Sequence, residues 1–379
     1  MSPKRQITIA IFAKAQECPQ NLGGLRPSAC PFAGINTEPK NRLCIRNLCI
    51  LLGLVELVTK QDSTVTEQPT STAKNNAPIN FKVDNSYEND SSYGDELSSY
   101  SASLTSSVLE YRHENGRRYH GYRDGSYLLP NDEQESDRLD MAHELCLKVL
   151  NRKLYLAPIK NPQRVIDLGT GTGIWAIDFA DLHPQAEVIG CDLSPTQPTL
   201  VPPNVKFLVD DIESEWAYEK NPFDFIHARN LVCSIRDFGR LIKQCYRSVK
   251  PGGWVEFQDW DGYPYSEDGS LNGTGLQKYY DEVYGAFEKA GYEVRPGPKL
   301  EEWFKDAGFV NIQKEIGTWM QVVVEAGFEA GALAALTRYK EWTREEVIAL
   351  ASRARADGRN RGVHTIGDLY VVYGQRPGE

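Results

Sequence analysis

The stretch VIDLGTGTGIWAIDFAD, residues 165–181, constrains this chain more than any other. An apolar run ends at Asp167-Leu168. Gly169, Gly171 and Gly173 then alternate with threonines, and an apolar helical pattern starts at once. A short apolar run bounded by glycines reads as a buried strand. A strand that passes through a glycine turn into a helix opens an α/β sheet, whose ligands bind at the carboxyl edge of the strands. Glycines there permit tight turns and let a ligand reach the backbone.

The spacing narrows the ligand. Dinucleotide loops read G-x-G-x-x-G, and the place of their third glycine is taken here by Ile174. The lysine of a P-loop is missing as well. What remains is D-x-G-x-G-x-G.

The flanking sequence extends the alternation. RVIDLG, AEVIGCDL, VKFLVDDI, FDFIHAR and WVEFQDW read as five strands, GIWAIDFADL and DFGRLIKQCYRSVK as helices. The latter aligns Phe238, Leu241, Ile242, Cys245, Tyr246 and Val249 on one face and stops at Pro251-Gly252-Gly253. This pattern predicts an α/β fold with a mostly parallel sheet and helices on both faces. Between the second and third strands SPTQPTLVPPN carries four prolines, so the crossover helix there is short or missing. After Trp260 the pattern predicts helices over 274–290 and 299–307, a strand over 309–316, helices over 320–337 and 343–357, and DLYVVYGQRP as a final strand. Upstream, Leu139, Ala142, Leu145, Cys146, Val149 and Leu150 recur at helical spacing within a helix over 135–154, closed by Pro158 and Pro162.

Residues 1–60 lack a sustained period, and 61–107 are rich in Ser, Thr, Asn and Asp. Such a segment buries too little apolar surface to offset its ordering entropy. The expected organisation is a poorly ordered leader over 1–107, a cap helix with a Tyr-rich lid over 108–160, and the ligand-binding sheet domain over 161–379 with helical insertions after the fifth strand. MSPKRQITIAIFAKAQE loosely mimics a signal peptide, but its apolar run is short and contains Thr8. LCILLGLV falls well below the roughly 20 residues of a membrane span. No membrane partner is expected.

A net charge of −10 argues against direct nucleic-acid binding, which needs clustered Lys and Arg. The basic run from Arg338 to Arg361 alternates with acids and reads as a solvated helix face. The eight cysteines form no C-x-x-C pair and have no His cluster beside them, so no metal site is expected. Cys146, Cys191 and Cys245 sit in apolar patterns as small core residues. A reducing compartment, cytoplasm or nucleus, fits this usage.

Two more acidic positions join the glycine loop. The second strand ends at Asp192, where a carboxylate can accept hydrogen bonds from both ribose hydroxyls. The third ends in Asp210-Asp211, where an acid can accept from the exocyclic amine of adenine. Asp192 alone reads equally as a cap or turn residue, and Asp210 or Asp211 alone as loop solvation. Three such features on successive strand ends rarely coincide by accident.

The set resembles the class I methyltransferases that use S-adenosylmethionine (SAM), and within them the fungal LaeA-like branch. ENGRRYHGYRDGSYLLPNDEQESDRLD, VIDLGTGTGIWAIDFAD, GCDLSPTQP, VPPNVKFLVDDIESEW, FDFIHAR, PGGWVEFQD and the closing VVYGQRP all look like that family, from about 105 to 379. The resemblance implies a Rossmann-like sheet with an antiparallel last strand and SAM as cofactor. It implies Gly169, Gly171 and Gly173 around the methionine part, with Asp167 heading the same motif. It also implies Asp192 at the ribose, and Asp211 with Ile212 at the adenine. In one place the chain departs: family members usually have a longer stretch between the counterparts of NIQK and EIGTWMQ. Here FVNIQKEI is expected to make a short sixth strand alone, leaving the last strand partly unpaired and the acceptor pocket more open.

SAM carries an activated methyl group, so the protein chiefly supplies position. A base is needed only where the acceptor must lose a proton. Candidates are His227, Glu256 and Asp259. His227 suits proton transfer, though it reads more readily as a strand histidine bonded to a neighbour. Arg229 either touches substrate or holds its loop. Tyr119, Tyr122 and Tyr127 suit a lid over the cofactor or a seal on the sheet edge, while Trp175 and Trp216 read as core. Three functions remain open: an enzyme methylating a small-molecule acceptor such as a secondary metabolite, a SAM-binding nuclear regulator acting through protein partners, and an inactive remnant.

Overall fold

The computed structural model describes residues 7–9, 81–83, 111–320 and 327–378. Five parallel strands form its centre: β5 (Arg164–Leu168), β6 (Glu187–Asp192), β7 (Val205–Val209), β8 (Phe223–Arg229) and β9 (Val249–Trp260). They lie in the order β9-β8-β5-β6-β7. The chain moves outward from β5 to β6 and β7, then returns to place β8 on the other side of β5. The order therefore reverses between β5 and β8, where open α/β sheets bind ligands. The predicted antiparallel last strand is β11 (Ile366–Gln375), inserted between β9 and β10 (Val310–Met320) and antiparallel to both. Two three-residue strands, β1 (Ile7–Ile9) and β2 (Phe81–Val83), pair in parallel with β10 and β7 at the outer edges. The rest of the expected leader lies outside the described residues.

Helices cover both faces, as the alternation predicts. On one, α3 (Phe238–Ser248) and α5 (Pro296–Ala307) bury Phe238, Leu241, Leu300 and Phe304 against β8 and β9. On the other, α2 (Ile174–Leu182) buries Trp175 and Phe179 against Val188 and Phe225. Beside it α1 (Glu133–Val149) packs Cys146 and Val149 on Leu369 and Val371 of β11. The helices α4 (Gly275–Lys289), α6 (Gly327–Tyr339) and α7 (Arg344–Arg359) share a separate apolar cluster, α4 following β9 and the other two following β10. Turns and bends alone cross the proline-rich link from β6 to β7. No helix among the described residues is long and apolar enough to cross a membrane. Cys146, Cys191, Cys233 and Cys245 are buried free thiols.

Several boundaries differ from expectation. The helix predicted over 135–154 runs from Glu133 to Val149. Asp132 caps its start by accepting from Glu135 N, and Asn151 and Arg152 turn the chain left-handed after its end. The polar segment ahead of it forms a hairpin, β3 (Arg112–Glu114) with β4 (Arg117–Tyr119), turned by Asn115-Gly116 at φ 52° and 80°. Asn-Gly suits such a turn because both residues tolerate positive φ.

The largest correction concerns the sixth strand. It does not stop near 316: β10 continues to Met320 and pairs with β11 from Val310 opposite Gln375 to Met320 opposite Ile366. Lys314 and Glu315 sit consecutively opposite Val372 and Val371, without a break. Ile316, Thr318 and Trp319 favour extended backbone, and pairing along β11 completes the strand. The helix expected over 320–337 is described from Gly327 to Tyr339. The expectation of a partly unpaired β11 is thereby corrected.

Candidate functional site

At the carboxyl ends of β5 and β8 the chain opens a cleft. One wall is the glycine loop with the ends of β6 and β7. The other is the segment 126–131 and the first turns of α1. Asp167, Gly169, Gly171, Asp192, Asp211, Ile212, Tyr127 and Arg229 all line it.

The loop is shaped by backbone that side chains resist. Gly169, Gly171 and Gly173 have φ of 65°, 58° and 81°. A Cβ on Gly171 would lie 3.3 Å from the Leu139 side chain, in the opposite wall of the cleft. A Cβ on Gly173 would lie 2.5 Å from the Phe207 ring. Gly173 therefore serves close packing of α2 on the sheet and stands behind the cleft.

Asp192 ties the loop to β6. Its Oδ2 accepts from Gly171 N and its Oδ1 from Ser194 N, each at 2.9 Å. A carboxylate has about four acceptor positions, so both oxygens retain capacity toward the cleft. Burial pushes this carboxyl up to about 6, outweighing the two amide donors. At the end of β7, Asp211 accepts from Glu213 N at 2.9 Å and pairs with Arg123 at 2.7 Å. Ile212 follows it, adding apolar surface to the same end. The carboxylates, apolar patch and open glycine backbone match what a ribose, an adenine and an amino-acid tail require.

Asp167 faces two ways. Its Oδ2 accepts from Thr170 Oγ1 and its Oδ1 meets His227 Nδ1, both at 2.7 Å. Burial pushes the His227 pKa down, although Asp167 opposes this. The neutral ring then donates from Nδ1 to Asp167. His227 has no exposed surface, lies flat on Trp175 at 3.8 Å, and its Nε2 has no partner. A buried ring outside the cleft lining does not reach a proton on an acceptor. The structure thus places His227 as support for Asp167, against the expectation of a base. Glu256 and Asp259 are likewise buried. Glu256 accepts from Leu156 N and Ala157 N, Asp259 from Leu231 N and Val232 N, and burial raises both to about 7. They anchor loops and do not line the cleft.

The tyrosines divide. Tyr127 lines the cleft, while Tyr119 is 1% exposed within the helical core, with Arg338 over its ring. Tyr119 is therefore no lid residue: in the hairpin strand β4 it points into the core. Tyr122 packs partly buried against the cluster around Trp175.

Sequence reasoning missed the α1 wall. Glu135, Ser136 and Leu139 line the cleft, and Arg138 binds Glu135 through two hydrogen bonds. Asp140 accepts from Thr172 Oγ1 at 2.7 Å, and Asn131 donates to Ser194 at 3.2 Å. The E-x-x-R spacing in QESDRLD was the available signal, since residues three apart meet on a helix.

Comparison with known proteins places these features. A methyltransferase-domain family model matches residues 138–314. The chain is 42% identical over 295 residues to methyltransferase pytC of Aspergillus terreus, covering 73% of this chain and 91% of that one. It is 34% identical over 289 residues to the secondary metabolism regulator LAE1 of Cochliobolus heterostrophus, covering 70% and 94%. It is 32% identical over 288 residues to the protein-methionine methyltransferase laeA of Emericella nidulans, covering 71% and 77%.

Proposed function

We propose, for a chain that belongs to the fungal LaeA-like family of SAM-dependent methyltransferases of secondary metabolism, that its acceptor is a small molecule. Bound SAM supplies an activated methyl on a sulfonium, and the chain's task is to hold cofactor and acceptor in line. Asp167, Gly169 and Gly171 would hold the methionine part, Asp192 the ribose, and Asp211 with Ile212 the adenine. Arg123 sits on Asp211 and would close over the adenine end. Thr170 and His227 fix the Asp167 carboxylate, and Asp259 fixes the turn at Leu231 that floors the cleft.

The observation that carries the small-molecule reading is enclosure. The 126–131 segment and α1 wall the cleft opposite the glycine loop, and Tyr127, Ser136 and Ser234 offer polar groups within it. Such a walled cleft suits a compact acceptor. The second reading is a nuclear regulator of secondary metabolism that binds SAM and acts through protein partners, which it would methylate. The resemblance to a protein-methionine methyltransferase favours it. Incubation with methyl-labelled SAM and fractionated fungal extract separates the two. Label in the small-molecule fraction supports the first, and label confined to polypeptide overturns it. A tagged chain followed by fractionation assigns nucleus or cytoplasm.

A further inference from the structure

Two arginines line the cleft among six acids, and one of the two has no ion pair among the described residues. Three of the acids are in ion pairs, Asp211 with Arg123, Glu135 with Arg138 and Glu213 with Arg236, while Asp167 accepts from Thr170 and meets His227, Asp192 accepts from two backbone amides and Asp210 from Asp211 N. Arg236 also lines it, and its ion pair with Glu213 and hydrogen bond to Tyr292 occupy it. Arg229 differs. Among the described residues no carboxylate lies within ion-pair distance of it, and its side chain bonds only His143.

The position is built rather than incidental. Leu168 pairs with Ala228, so β8 delivers Arg229 beside the first glycine of the loop. Arg229 Nη2 donates to His143 Nδ1 at 2.8 Å. His143 Nε2 then donates to Asp178 Oδ2 at 3.1 Å. Accepting at one nitrogen while donating from the other requires a neutral ring in one tautomer. Its burial and the adjacent guanidinium both push His143 toward that neutral form. Three residues from α1, α2 and β8 thus fix a cation at the cleft, with four of its five N–H donors left over. A partly buried guanidinium with donors unspent and no carboxylate within ion-pair distance among the described residues is suited to take an anionic group from a ligand.

We infer that Arg229 recognises a carboxylate in this cleft, and that His143 and Asp178 hold its guanidinium in place for it. The inference rests on the SAM reading above and goes further by assigning an anion subsite. The carboxylate comes from one of two sources, the methionyl end of SAM or the acceptor. A forked guanidinium binds either through two parallel hydrogen bonds, which lysine cannot reproduce.

Calorimetry on the full chain with S-adenosylhomocysteine and with 5′-methylthioadenosine, which lacks the carboxylate, reads the first source. The methionyl source predicts that Arg229→Gln weakens S-adenosylhomocysteine by about tenfold or more and leaves methylthioadenosine unchanged, with Arg229→Lys restoring little. The acceptor source predicts unchanged binding of both nucleosides. Benzoate, as an aromatic carboxylate probe, would then bind the S-adenosylhomocysteine-loaded wild type and not Arg229→Gln. Equal weakening of both nucleosides, or no change in any of the three, overturns the inference. Asp178→Asn covers a failure of Arg229→Gln to fold, because the Asp178 side chain is 42% exposed. It should weaken only the carboxylate-bearing ligand, and no selective change in it overturns the inference as well. A wild-type chain that binds neither nucleoside overturns the SAM reading itself, a result distinct from the others.

Discussion

Asp192 is both a structural tie and the proposed ribose acceptor, and its protonation links the two. Burial raises its carboxyl to about 6, so the free protein carries the neutral acid below that pH and the carboxylate above it. Only the carboxylate accepts at full strength from ribose hydroxyls as well as from the amides of Gly171 and Ser194. SAM affinity should therefore rise as pH climbs through about 6 and level off above it. Asp192→Asn should flatten that profile and cost about 1–3 kcal/mol of binding at neutral pH. Calorimetry across the range checks this, and a flat wild-type profile would sink it. Gly171→Val should be worse, because a β-branched residue resists φ of 58° and its side chain would extend toward Leu139. A folded Gly171→Val protein with unchanged SAM affinity would remove the loop from the site. These residues were legible in sequence because their spacing along the chain is itself the geometry: each ends a successive strand. Arg229 with His143 was not, since the pair lies 86 residues apart and forms only when α1 docks. His227 misled for a different reason. A strand covered on both faces has no wet side, so a histidine near its end need not reach the cleft.

At the scale of elements, the strands and helices of the centre followed from hydrophobic period, and the errors fall where pairing overrides local pattern. β10 shows this best. NIQKEIGTWM has no clean alternation, and its length is set by β11, which pairs along it between Val310 and Met320. The strand meets α1 at Gly317, where a Cβ would lie 2.4 Å from Val149 Cγ1. Val149 is β-branched and 7% exposed, so it has little freedom to withdraw. Gly317→Ala should therefore destabilise the fold by about 1–3 kcal/mol through overpacking. Val149→Ala in the same chain should recover part of that loss, because the clash is pairwise. Denaturant melts of both single variants and the double variant test the contact. Additive effects would mean that α1 and β10 do not meet there. The hairpin of β3 and β4 was also missed, although Asn115-Gly116 marked it, because its strands are short, charged and without an apolar face.

For the whole molecule, the question is how much of the chain the fold needs. Every apolar cluster among the described residues draws its members from Tyr119 to Tyr373. The cleft begins at Ser126. Ahead of residue 108, the described residues supply only β1 and β2, three residues each, on opposite edges of the sheet. Three-residue strands add a few ladder hydrogen bonds, each worth about 0.5–1.5 kcal/mol net. Removing residues 1–107 should thus leave a domain that melts cooperatively and binds SAM with unchanged affinity. The same cut exposes the outer edges of β7 and β10, and unpaired edges recruit other chains. The β7 edge is the less guarded, since the link before it presents Leu200 at 92% exposure. The truncated protein should accordingly keep its midpoint to within a few degrees while showing more concentration-dependent light scattering than the full chain. Loss of the cooperative transition would mean that the upstream residues belong to the folding unit. Scattering equal to that of the full chain would mean that the two edge strands protect nothing.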